Sequence, residues 1–425
     1  MMIEKLTAVL RDSGVHAWEI TDTETESWEF YFIRHKLDQN RAVNVRHVKL
    51  TVYETTDGGQ TLGAATAEVP LTANAAEMAA LVKDLSYRAS LVKNAYYTLN
   101  PAVAAKADGE KIDLAAIAGA FMHALTSLPE TETEDINSYE IFVKAIRRRF
   151  LNSNGIDVVE RYPSSMAEVI VNARRDGHEI ELYRNFTSGE CDEAVLSEEL
   201  TAAMRQGRDR LAATPTPALG KIPVVFSSDD ACEIYQYFLT RLDPAMLFRR
   251  FSDWKLGEPI SDALSGDRLT VRAVKTLPGS SMNFSFDREG APVRDETLME
   301  AGEPRFFTGG RMFSCLMGLE NTFQPTNVAF EGGTKTEQEI RAGRYLEAVE
   351  FSDFQVDPIS GDVFGELRLG YYHDGEGHVT PVSGGSVSGD MGEYLKTMTM
   401  TKETRRSDNV VFPRLTRLED VTFAG

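Results

Sequence analysis

The order of local patterns predicts an α+β protein in which N-terminal α/β units precede a large, antiparallel, β-rich C-terminal domain. Three observations predict it. Helical spacing and strand alternation take turns as far as Ala213, whereas beyond Ile222 strands and glycine turns dominate. A stiff, exposed Thr214-Pro215-Thr216-Pro217 connector separates the two regimes. Between Ile359 and Asp390 the chain spells out a hairpin: a strand at Val363 to Tyr372, an Asp374-Gly375-Glu376-Gly377 turn, and a second strand at His378 to Val382.

In order, Ile3, Leu6, Val9 and Leu10 mark one face of a helix from Met1 to Ser13, which Gly14 ends. Ala17 to Arg34, Ala42 to Tyr53 and Thr61 to Val69 read as strands, the last two joined by Thr56-Asp57-Gly58-Gly59. Helical spacing returns from Asn74 to Leu99. This first unit covers residues 1–100. The second, 101–215, opens on the small, polar stretch Pro101 to Glu110. A helix at Ile112 to Leu128 follows, then an acidic linker with Glu130, Glu132, Glu134 and Asp135. A helix at Ser138 to Leu151 carries Arg147, Arg148 and Arg149 near its C-terminus. Strands at Gly155 to Tyr162, Ala167 to Ala173 and His178 to Asn185 precede a helix at Asp192 to Ala213. In the third unit, 216–425, Val224-Val225-Phe226 is a strand. Ser227 or Ser228 is placed to cap a helix from Asp229 to Leu242. Thr336 and Glu339 have capping-box spacing, and Gly392 to Met400 is helical.

Composition bounds the function. With 425 residues the chain can bury two or three cores. Its 42% hydrophobic and 26% charged residues are the balance of a folded, soluble protein. A formal charge of −20 disfavours nucleic acid as a partner. Cys191, Cys232 and Cys315 lie far apart without a C-x-x-C spacing, which fits a reducing cytoplasm and neither a disulfide framework nor a thiolate zinc site. No export signal and no membrane span are expected.

A search for chemistry gives no catalytic residue. None of the seven histidines lies in H-E-x-x-H. His373 and His378 flank the hairpin turn and read as turn flanks. Gly384 to Gly389 only approximates a nucleophile elbow and has no supported base. Gly332-Gly333-Thr334-Lys335-Thr336 lacks the first glycine and the strand of a phosphate loop. Asp287, Glu289, Asp295 and Glu296 cluster in sequence, with Asp287 and Glu289 entering a turn.

The succession of C-terminal signatures is more specific than any of them singly. It runs Phe286-Asp287-Arg288-Glu289-Gly290, Leu298-Met299-Glu300-Ala301-Gly302, Asn321-Thr322, Pro325-Thr326-Asn327-Val328, Glu331 to Glu337, Gly361-Asp362-Val363-Phe364-Gly365, Pro381 to Gly389 and Pro413-Arg414-Leu415. This order resembles the TldD/PmbA family, once named modulators of DNA gyrase, and the layout of the upstream units is similar too.

The resemblance implies a cytosolic zinc-peptidase system whose metal-bearing subunits carry H-E-x-x-x-H on a helix and a later cysteine. Here the matching window is Gln236-Tyr237-Phe238-Leu239-Thr240-Arg241, and no cysteine follows Cys315. Zinc needs about three protein donors to activate a water. The chain is therefore expected to be a metal-free, TldE/PmbA-like subunit without a cofactor of its own, zinc being expected only in a partner. The partner is expected to be a TldD-like subunit in a heterodimer, or a second copy in a homodimer. The substrate would be an unfolded or extended peptide, bound by strand addition to a sheet edge. Tyr235, Gln236, Tyr237 and Arg241 would face the substrate or partner, with Asn321 and Gly385 nearby; the alternative is that the helix residues only support their own helix. Two other functions remain open at this stage: a standalone peptide-binding or regulatory scaffold, and an independent hydrolase using His373, His378, Asp287 or Glu289.

Overall fold

The computed structural model describes residues 2–103, 109 and 111–425. Met1 and most of the stretch 101–110 lie outside the described residues. The chain starts with α1 (Met2–Ser13), whose Ile3, Leu6 and Leu10 are buried. Two long strands, β1 (Ala17–Ile33) and β2 (Lys36–Thr56), form a hairpin, and β3 (Thr61–Glu68) adds to β2. Helix α2 (Ala75–Ser90) opens on a capping box between Asn74 and Glu77, and β4 (Asn94–Ala95) closes this edge of the sheet. After α3 (Leu114–Thr126) come β5 (Glu134–Asn152), β6 (Asp157–Arg175), β7 (His178–Ser188) and α4 (Glu193–Ala212).

The pieces 1–100 and 101–215 build one seven-stranded antiparallel sheet, in the order β4-β3-β2-β1-β5-β6-β7. The seam is β1, which pairs with β2 on one side and with β5 from Glu19↔Asn152 to Ile33↔Ser138 on the other. Two expectations change here. The helix expected at Ser138 to Leu151 is the strand β5, because its buried residues Tyr139, Ile141 and Val143 recur every second position. The strands expected at Gly155 to Tyr162 and Ala167 to Ala173 are one strand, β6, which runs through Pro163. That proline is tolerated because β7 pairs with β6 only from Ser165 onward, so Pro163 has lost one neighbour. All four helices cover a single face of the sheet. One core unites α1 and α2 with Ile20, Val48, Leu50 and Val52, and a second unites α3 and α4 with Ile141, Val143, Ala167 and Val169. Helix α4 lies close because Gly207 faces Ala173 and Leu182, where even a methyl group would sit 2.9 Å from the Ala173 side chain.

The rest of the chain is built from shorter elements. They begin with β8 (Thr214–Pro215), β9 (Gly220–Phe226), a 3-10 turn at Asp229–Ala231, α5 (Cys232–Arg241) and α6 (Pro244–Phe248). Next come β10 (Val271–Val274), β11 (Glu296–Glu300), β12 (Glu303–Pro304), α7 (Arg311–Leu316), β13 (Asn327–Phe330) and α8 (Glu337–Ile340), which has the expected capping box. The hairpin region contains β14 (Tyr345–Val356), β15 (Asp362–His373), β16 (Val379–Ser383), β17 (Ser386–Asp390) and α9 (Met391–Tyr394). The chain finishes with β18 (Thr399–Met400), β19 (Thr404–Ser407), β20 (Val410–Pro413) and β21 (Thr416–Ala424).

These strands make two sheets. One has the order β12-β11-β10-β13-β20-β19. In the other, β14, β9, β21, β17 and β15 pair in succession, and β15 pairs back onto β14, so five strands close into a ring. On two of its strands Phe226, Phe351 and Phe354 pack together, with centroids 4.8–6.0 Å apart. Most pairs are antiparallel; β9–β14, β13–β20 and β8–β16 are parallel. The face of the first sheet opposite its helices docks on this C-terminal part. There Tyr162 meets Phe284 at 4.4 Å, Arg148 Nη2 donates to Phe286 O at 2.6 Å, and Glu160 accepts from Ser285 N–H at 2.9 Å. Among the described residues, no helix is long and apolar enough to cross a membrane.

Candidate functional site: an inter-unit charged cleft and the helix beside it

Helix α5 lies between the two C-terminal sheets, which explains why its sequence is apolar on most sides. Tyr235 is fully buried; its ring meets Phe330 of β13 at 4.9 Å and Phe412 of β20 at 5.6 Å, and its hydroxyl is 2.6 Å from Thr416 Oγ1 of β21. Tyr237 is buried against Phe238 and Trp254. Arg241 lays its guanidinium over Tyr237 and Trp254, at 5.3 and 5.4 Å, and donates to Pro358 O at 3.2 Å. Gln236 is half-buried, and burial pushes the thiol of Cys232, one turn earlier, up to about 11. At these positions the burial matches the supporting alternative: Tyr235 and Tyr237 face the core. Ser228 occupies the N-cap position of the turn that precedes α5, but its hydroxyl donates to Asp230 Oδ2 at 3.2 Å and caps no backbone N–H.

The donor set of α5 does not fit zinc. A thiol held protonated, an amide, a tyrosine hydroxyl engaged by threonine and a cationic guanidinium supply no histidine and no thiolate. Among the described residues the one group of three acid or histidine side chains close enough to share an ion is Asp374, Glu376 and His378, at an exposed turn. There Asp374 serves the turn itself. It accepts from Glu376 N–H at 2.7 Å and from His378 N–H at 3.2 Å, and these bonds help to hold its carboxyl below the usual range. His373 does not join it: its ring stacks on Tyr345 at 4.1 Å and its Nε2 lies 3.7 Å from Glu347.

Asn321 and Gly385 are apart from α5 in sequence and carry backbone demands. Asn321 has a φ of 54° and its carbonyl accepts from Arg294 Nη2 at 2.9 Å. Gly385 has a φ of 87°, and a Cβ there would sit 2.5 Å from the Phe423 ring. Gly385→Ala is expected to cost about 1–3 kcal/mol of stability, read from the midpoint of urea unfolding, because it combines a left-handed backbone with a clash. An unchanged midpoint would contradict this geometry.

A cleft of about 1350 Å³ opens between the first sheet and the C-terminal part, and none of the six residues expected at a site lines it. One wall is the margin of β7 (Tyr183 to Phe186) with the α4 residues Glu198, Glu199, Arg205 and Arg208. The other is Ser227 to Asp230, just ahead of α5, with Glu337, Arg341, Glu347, Glu350 and Tyr371. Ion pairs bridge the walls: Arg405 to Glu199 at 2.9 Å, Arg414 to Glu198 at 3.5 Å and Arg210 to Glu350 at 3.3 Å. Tyr371 donates to Asp209 at 2.6 Å. Burial raises the Asp230 and Glu199 carboxyls above the usual range. Glu347 is the reverse: burial opposes its charge, yet His373 and Arg341 hold it below that range. No local signature in the sequence foretold this cleft, since its residues come from β7, α4, the 227–230 segment, β14 and β19.

The comparisons agree with this architecture. Residues 219–425 match the family model of the PmbA/TldA metallopeptidase C-terminal domain. Among solved structures, TldE from Thermococcus kodakarensis is 15% identical, with a TM-score of 0.78 over 99% of this chain and 100% of that one. A candidate modulator of a DNA gyrase from Thermotoga maritima is 17% identical, with a TM-score of 0.78 over 99% of each chain. A similarly described protein from Bacteroides thetaiotaomicron is 17% identical, with a TM-score of 0.77 over 99% of this chain and 98% of that one. No curated protein sequence matches significantly. Residues 219–425 therefore belong to the PmbA/TldA metallopeptidase C-terminal domain family, and along its whole length the chain has the fold of TldE and of the two gyrase-modulator candidates.

Proposed function

We propose that this chain is a non-catalytic, metal-free, TldE/PmbA-like subunit of a cytoplasmic zinc metallopeptidase, acting with a TldD-like partner on unfolded or extended peptides. The observation that supports it most is the chemistry of α5. The window that the resemblance matches to the metal helix of the family, Gln236 to Arg241, offers a glutamine, a buried tyrosine and an arginine, and its inward face is used for packing. A subunit built in this way leaves the zinc and its activated water to the partner.

The cleft gives such a subunit a place to hold substrate. Among the described residues β7 pairs only with β6, so its outer margin, which lines the cleft, has backbone groups free for an added strand. The charged walls favour a polar, extended segment over an apolar one, and the acidic chain favours peptide over nucleic acid.

The test is reconstitution. The purified chain alone is expected to hold no stoichiometric zinc and to cleave no unfolded peptide, whereas mixing it with a TldD-like subunit bearing H-E-x-x-x-H should give a stable complex and hydrolysis. Zinc-dependent cleavage by this chain in isolation would overturn the proposal. Peptide binding with no association to such a subunit would favour a standalone peptide-binding scaffold.

A further inference from the structure

Where β7 ends, a second cavity of about 80 Å³ opens off the cleft, and the two share Asn185, Phe186 and Val195. Its floor is apolar: Phe121 of α3, Phe186 of β7, Cys191, and Leu196 of α4. Phe121 and Leu196 are buried members of the core between α3, α4 and the sheet, and Phe186 and Cys191 pack against that core. Val195, exposed at the start of α4, stands at the mouth.

Charged groups surround this cavity, but each already has a partner in the protein. Asp192 caps α4, accepting from Val195 N–H at 3.2 Å. Glu199 and Asp229 share Arg405 at 2.9 and 2.7 Å. Asp408 accepts from Ser281 N–H at 2.8 Å and from its hydroxyl at 2.6 Å, and Arg406 donates to Asp408 O at 3.3 Å. What remains for a guest is the apolar floor. An engineered apolar cavity of about 150 Å³ takes up benzene. A cavity of about half that volume suits an aliphatic side chain and is too small for an aromatic one.

The backbone beside the cavity says how such a side chain would arrive. In an antiparallel strand the N–H and C=O of a residue point to the same side, and the side alternates along the strand. Arg174 N–H goes to Thr133 O, on the β5 side, so Arg175 and its partner His178 face each other across the β6–β7 ladder. Counting by twos, Phe186 turns its backbone groups to β6, whereas Asn185 and Thr187 turn theirs outward, where no described group receives them. An antiparallel strand added here would hydrogen-bond Asn185 and Thr187. The residue between those two contacts lies opposite Phe186 and turns its side chain to the same face, over the cavity. We propose that this cavity is a side-chain pocket of the cleft, which anchors one aliphatic residue of an otherwise polar, extended peptide added to β7. The proposal rests on the reading of the cleft as the place that holds substrate and gives that substrate a sequence preference.

Fluorescence anisotropy on the full chain tests it, with labelled short peptides of serine, threonine and glutamine that carry leucine, alanine or tryptophan at the centre. The leucine peptide should bind at least about tenfold more tightly than either of the others. Val195→Trp, which fills the mouth, should reduce the leucine preference to near unity and leave the alanine peptide unaffected. Thr187→Pro removes one outward N–H and should weaken all three alike. Should a variant misfold, hydrogen exchange on the wild type decides: the leucine peptide should protect the Asn185 and Thr187 amides at concentrations where the alanine peptide does not. Equal affinities that Thr187→Pro still weakens would overturn the pocket and leave the strand-adding margin in place. A leucine preference that survives in folded Val195→Trp, or a tryptophan peptide that binds best, would also overturn the pocket. No binding of any peptide would remove the pocket and the substrate reading of the cleft together.

Discussion

Tyr235→Ala should be among the most destabilising single substitutions in the chain, losing about 3–5 kcal/mol in urea unfolding. The side chain is fully buried between Phe330 and Phe412, and its removal both opens a cavity and takes the hydroxyl partner from Thr416, which is itself inaccessible. Tyr235→Phe keeps the ring and should cost only about 1–2 kcal/mol, the usual consequence of leaving one buried hydroxyl short of a partner. The contrast separates the two roles considered for this residue. A tyrosine that met peptide would change binding more than stability; a loss below about 1 kcal/mol on Tyr235→Ala would contradict its burial.

The second large effect concerns pH. Glu19 of β1 sits at the seam with the C-terminal part, and its carboxyl is pushed up to about 7 from an ordinary 4.5. Burial is the main cause, and the negative fields of Glu289 and Asp287 add to it against a 2.7 Å hydrogen bond from Tyr53. Burial raises Asp287 and Glu289 as well. The sign follows from proton counting. Between about 4.5 and 7 the folded chain keeps a proton on Glu19 that the unfolded chain has released, so this group's stabilisation is full below 4.5 and is lost as pH rises through 7. The amount is about 3 kcal/mol, since each unit of pKa is worth 1.36 kcal/mol. Urea midpoints at pH 5 and pH 8 should therefore differ more in the wild type than in Glu19→Gln, which cannot titrate. Equal pH dependence in the two proteins would remove Glu19 from this role.

Much of the fold could be read locally, and the exceptions have definite physical causes. The hairpin of β15 and β16 announced itself because Asp374 to Gly377 stops two apolar runs, and the structure pairs His373 with Val379 across it. Helix α4 and the capping box at Thr336 were likewise local. Strand β5 was not, since Tyr139, Phe142, Val143, Ile146 and Phe150 also fit helical spacing; pairing with β1 and β6 over nearly its whole length decides the matter. Helix α5 was found where expected, but its amphipathic reading could not reveal that sheets bury it from both sides. Its tyrosines are therefore core residues, and the open space lies a turn earlier, beside Asp229 and Asp230. The cleft joins residues as distant as Glu134 and Arg414, an adjacency that only the tertiary fold creates.

The five-stranded ring has a consequence for how the protein is made. Its second-numbered neighbours in space are far apart in the chain: β9 ends at Phe226, yet it is held between β14 and β21, and the latter starts at Thr416. During translation β9 must wait for almost two hundred further residues before both its flanks can be filled. The first sheet, whose last strand ends at Ser188, has no such dependence and can assemble while the ribosome is still producing the remainder. Such long loop closures fold slowly, so the nascent C-terminal strands are where a chaperone would be needed.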